Sequence, residues 1–64
     1  MTKIESDIIA VLDNGPKTIQ SLLDILQEFH SMVDTLNALL PLMSDGMVIL
    51  DEGRALKLAW KGKR

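Results

Sequence analysis

From Ile4 to Leu12 the chain places apolar residues at Ile4, Ile8, Ile9, Val11 and Leu12, a spacing that turns one side of a helix toward a core. Thr2 followed three residues later by Glu5 is a capping-box pattern, and Asn14-Gly15-Pro16 supplies the stop. A helix is therefore predicted from about Lys3 to Asp13, with Lys3, Ser6, Asp7 and Ala10 leaning outward. Thr18 can cap a second helix, in which Ile19, Leu22, Leu23 and Leu26 repeat the i, i+3, i+4, i+7 stripe and Ile25 widens it. Phe29-His30 makes a short connection, after which Ser31 and Asp34 read as the start of a third helix.

In the third helix the pattern predicts burial of Val33, Leu36, Leu40 and Met43, flanked by Met32 and Leu39. That choice leaves His30, Ser31, Asp34, Asn37, Ala38 and Pro41 on the opposite face. Pro41 cannot donate to the carbonyl of Asn37, so a kink or break is expected near residues 37 to 41. Gly46 lets the chain reverse after Ser44-Asp45, and Met47 to Leu50 then reads as a buried strand. Asp51-Glu52-Gly53-Arg54 is a hairpin loop. In the returning strand Leu56, Leu58 and Trp60 share one face while Ala55, Lys57, Ala59 and Lys61 share the other, on an exposed edge where one of two readings of Lys57 is that it discourages unwanted pairing.

The order helix, helix, helix, hairpin resembles the winged helix-turn-helix superfamily. The predicted fold is mostly α with a small β-hairpin: a three-helix winged helix-turn-helix in one domain spanning 1–64, with 61–64 a basic frayed tail. The resemblance implies duplex DNA as the partner, with the third helix in the groove and the hairpin as a basic wing. Carried onto this sequence, Asn37 is the outward side chain suited to a bidentate adenine contact. Ser31 and Thr35 become phosphate donors, His30 a conditional one, and Arg54, Lys57 and Lys61 the phosphate contacts of the wing.

Charge qualifies that picture. The formal net charge is −2, but residues 1 to 53 carry nine acids against Lys3 and Lys17, whereas residues 54 to 64 carry five cations and no acid. The third helix contains no Lys or Arg, and Asp34 lies on its outward face, so polyanion contact is expected to be led by the wing and tail. The alternative is a winged-helix protein-protein interaction or assembly module without DNA affinity, pairing with another protein or forming a homodimer. Its acidic helical surface and the adaptable methionines Met32, Met43 and Met47 fit that use.

Chemistry is disfavoured. There is no cysteine, so disulfides and thiolate metal sites are excluded, and a lone histidine beside Glu28 and Asp34 falls short of the three or four converging ligands a metal requires. Ser31 beside His30 lacks a third orienting group and is better employed as a cap. Asp51 and Glu52 sit on a turn with solvated charge. No enzyme activity, cofactor, metal or small-molecule substrate is expected. The N-terminal residues lack a basic region and long apolar core, and no apolar run approaches the roughly 18 residues of a membrane span, so a cytoplasmic protein is expected.

Overall fold

The computed structural model describes residues 2–52 and 54–59. The elements run α1 (Lys3–Asp13), β1 (Lys17–Thr18), α2 (Ile19–Leu26), α3 (Met32–Ser44), β2 (Val48–Leu50) and β3 (Ala55–Leu58). Three helices and a small antiparallel sheet result, a layout compatible with a winged helix and matching the predicted fold class. The expectations for Trp60, Lys61 and the 61–64 tail lie outside the described residues.

Local chemistry sets the helix boundaries. Glu5 N–H donates to the Thr2 hydroxyl at 3.2 Å and Thr2 N–H donates to Glu5 Oε1 at 2.8 Å, so the capping box forms in both directions. Thr18 accepts from Ser21 N–H, and Ser31 accepts from Asp34 N–H, each at 3.1 Å. Between α2 and α3 the N–H groups of Phe29 and His30 both donate to the Leu26 carbonyl at 2.9 Å. Past α3, Gly46 takes φ +79° while its N–H reaches Met43 O at 3.1 Å and Met47 N–H reaches Leu42 O at 3.0 Å. This pair of bonds closes a Schellman motif, and glycine supplies the left-handed backbone at its turning point.

Pro41 does not break α3. The helix is continuous from Met32 to Ser44, and Asp45 N–H donates to the Pro41 carbonyl at 2.9 Å. Pro41 and Asn37 are both exposed, so water can reach the Asn37 carbonyl that loses its intrahelical donor.

The sheet order is β1-β3-β2, all antiparallel. β1, a two-residue strand absent from the sequence reading, pairs Lys17 with Leu56 and Thr18 with Ala55. β3 is consequently the central strand, which overturns its assignment as an exposed edge and the edge-blocking role of Lys57. Lys57 is partly buried opposite Ile49, so its alkyl stem has an apolar neighbour across the ladder. The run Met47 to Leu50 is also not a buried strand: Val48 is buried and Met47 partly so, whereas Ile49 points outward and Leu50, at the mouth of the hairpin, is half exposed.

Ile8 and Leu12 of α1, Leu22 and Leu26 of α2, Leu39 and Leu42 of α3, Val48 of β2 and Leu56 of β3 form the core. Every helix and the two hairpin strands contribute to it. The α2 stripe is only partly enclosed, since Ile19 and Ile25 stay exposed beside Leu22 and Leu26.

The largest correction concerns the orientation of α3. Its buried residues are Thr35, Leu39 and Leu42, with Ala38 packed against them. Val33, Leu36, Leu40 and Met43, the predicted core face, are all exposed, as is Met32. At about 100° per residue the buried set spans an arc of roughly 100°, and the exposed apolar set fills a second arc of similar width beside it. The helix is apolar over more than half its circumference, and only one half of that arc meets the rest of the fold.

Candidate functional site

Among the described residues, those implied by the winged-helix resemblance differ in exposure and are not all surface groups. Ser31 is exposed, with its hydroxyl oxygen engaged as the α3 cap. Thr35 is 1 % exposed, so its hydroxyl is withdrawn from any surface phosphate. Asn37 is exposed on α3, flanked by Pro41 and by the carboxylate of Asp34. Arg54 is exposed at the hairpin turn, where its N–H donates to the Asp51 carbonyl at 2.8 Å and its φ is +67°. Lys57 lies partly buried on β3, and Lys61 is outside the described residues.

What α3 does present is a continuous apolar stripe. Val33 is 64 % and Leu40 66 % exposed, with Met32 comparable and Leu36 and Met43 less so. Asp34 is the only ionisable residue in the helix, and it sits about 100° around the axis from Val33. Asn37 and Ser44 border the stripe on its polar side. A water-facing surface of this kind is costly to hydrate and has no charged side chain to offer a phosphate or a base edge. Large apolar areas of this sort on small domains mark contact surfaces. Residue periodicity detects this stripe and predicts that it faces the core, whereas the fold turns it to solvent.

His30 also departs from its sequence-based role. Instead of lying free on the outward face, it is partly buried with Nε2 2.8 Å from Asp7 Oδ2, joining the α2–α3 turn to α1. Asp7, expected to lean outward, turns partly inward to meet it, and Lys3 approaches the other carboxylate oxygen at 3.4 Å. The His30 hydrogen bond holds the Asp7 carboxyl below the usual carboxylate range, against the opposing effect of partial desolvation and with help from Lys3. This pair rims a groove of about 460 Å³ between α1 and the end of α2, walled by Val11, Ile25 and Phe29. Its polar groups are committed to each other, and no residue spacing signals a contact across 23 residues. Among the described residues no three carboxylate or imidazole groups converge as a metal site would require, and no helix is long and apolar enough to cross a membrane.

No family model, curated protein or solved structure matches the chain.

Proposed function

We propose that this chain is a non-enzymatic interaction module of winged-helix type that docks through the exposed apolar stripe of α3 and does not use that helix to read DNA. The observation that carries this reading is the outward placement of Val33, Leu36, Leu40 and Met43. In a groove-reading helix the outward face carries side chains that hydrogen-bond base edges and neutralise phosphate. Here α3 has no cation, the Thr35 hydroxyl is buried, and Asn37 is the one amide able to make a bidentate contact to a base. Burying the stripe against another apolar surface removes it from water at about 25 cal/mol per Å². Wing-led contact with duplex DNA, through Arg54 and Lys57 with Lys61, is the second reading; it is favoured by the exposure of Arg54 at the hairpin turn and the excess of cations after it.

Amide NMR titration with a short mixed-sequence duplex, at low and then near-physiological salt, separates the two. The docking reading predicts that amides from Met32 to Ser44 do not move at either salt, and that any shift near Arg54 and Lys57 vanishes as salt rises. Shifts at Ser31 and Asn37 that persist near physiological salt would overturn it and restore groove insertion.

A further inference from the structure

We infer that the partner of the α3 stripe is a second copy of this chain, packed antiparallel about a two-fold axis that crosses the helix at the level of Ala38. This rests on the docking reading and specifies its occupant. The observation is the spacing of the stripe. Val33, Leu36, Leu40 and Met43 are separated by three, four and three residues, so the series reads the same in both directions. A two-fold interface requires that when residue i meets residue j, j also meets i. Turned end for end about Ala38, the stripe sets Val33 against Met43 of the second copy and Leu36 against Leu40, and each contact is repeated by symmetry. The three-four alternation is also the seam spacing by which two helices interlock side chains at a shallow crossing angle.

Size and charge agree with this occupant. Taking the exposed fractions of Met32, Val33, Leu36, Leu40 and Met43 against ordinary side-chain areas, the stripe offers on the order of 500 Å² per copy. Two copies together would cover roughly 1,000 Å², the lower bound for a specific interface, so the dimer should be a readily reversible one. A strongly charged partner would find nothing on α3 to steer it, because Asp34 is the only charge there and lies off the stripe. Antiparallel packing places the two Asp34 carboxylates about 12 Å apart along the axis, beyond the Debye length of about 8 Å at physiological salt. Parallel packing would set them at the same level.

Sedimentation equilibrium of the full chain from about 10 μM to about 1 mM tests the inference, alongside methyl NMR with a soluble paramagnetic cosolute. The expected result is a mass rising from one chain toward two, with the Val33 and Leu40 methyls becoming shielded from the cosolute over the same range. Leu40→Glu and, independently, Val33→Glu should weaken association by roughly tenfold or more while leaving the fold intact, since both positions are exposed. Under oxidation, a Val33→Cys chain mixed with a Met43→Cys chain should cross-link, whereas Val33→Cys alone should not, its two sulfurs lying at levels about 15 Å apart. A single-chain mass throughout, with those methyls open to the cosolute, would overturn the second-copy inference and leave the docking reading standing. A single-chain mass with the methyls shielded would overturn both. Efficient cross-linking of Val33→Cys to itself would overturn the antiparallel arrangement.

Discussion

Leu39 and Leu40 are neighbours of identical chemistry, and the orientation of α3 assigns them opposite energetic roles. Leu39 is 3 % exposed within the core and Leu40 is 66 % exposed on the stripe. Truncating Leu39 to alanine removes buried methyl groups and leaves a cavity, a change that costs about 2–5 kcal/mol in comparable cores. A chain of this length is stable by only roughly 3–10 kcal/mol at about 0.05–0.15 kcal/mol per residue, so the variant loses about a fifth or more of its margin. At about 4–8 °C per kcal/mol its Tm should fall by 10 °C or more. Leu40→Ala removes little that is buried and inserts a slightly better helix former, so its effect should stay within about 0.5 kcal/mol. Both variants should be followed by far-ultraviolet circular dichroism during urea and thermal unfolding, at low micromolar concentration so that association adds nothing. If Leu40→Ala cost as much as Leu39→Ala, the outward half of the α3 arc would be core and the docking reading would fall.

Gly46→Ala places a side chain at φ +79°; nothing lies within 4 Å of the new Cβ, so the backbone alone is strained, and urea titration should show a loss of about 1–2 kcal/mol, with no loss arguing against the Schellman turn. Arg54→Gly relieves the left-handed backbone at φ +67° but gains freedom in the unfolded chain, so the urea midpoint should rise by an amount worth about 1 kcal/mol or less. A lower midpoint would mean that the Arg54 side chain makes a stabilising contact. Asp7 has its folded pKa lowered, so its ionisation favours the folded state above the ordinary carboxylate pKa near 4, and that contribution is lost as pH falls through the lowered value. Thermal melts of the native chain and Asp7→Asn should therefore differ most above about pH 4 and converge below it. A gap constant with pH would remove the Asp7–His30 pair from the account.

Features encoded over a few residues were legible in the sequence. Thr2 with Glu5, Thr18, Ser31 and Gly46 fix their helix ends through bonds spanning three to five residues, and each did what its type and spacing implied. Features that depend on what lies opposite were not. An apolar arc wider than one face satisfies periodicity in two orientations, and the choice between Leu39 with Leu42 and Leu36 with Leu40 is made by the positions of α1, β2 and β3. β1 has two residues and no alternation to detect, yet its pairing moves β3 from edge to centre. The His30–Asp7 contact likewise joins residues that only the folded chain brings together. The three helices and the hairpin occur in the predicted order, with β1 added between α1 and α2, and the core face predicted for α3 is the wrong one because its apolar arc is wider than the face the fold covers.

The chain has no cysteine, so single-cysteine variants report accessibility without background. Thiol-labelling rates of Val33→Cys, Leu40→Cys, Leu39→Cys and Leu42→Cys, measured under native conditions in dilute solution, test the orientation of α3 most directly. The account predicts rapid labelling at positions 33 and 40, and labelling at positions 39 and 42 only as fast as the fold opens. Slow labelling at 33 and 40 with rapid labelling at 39 and 42 would contradict it, returning the apolar stripe to the core.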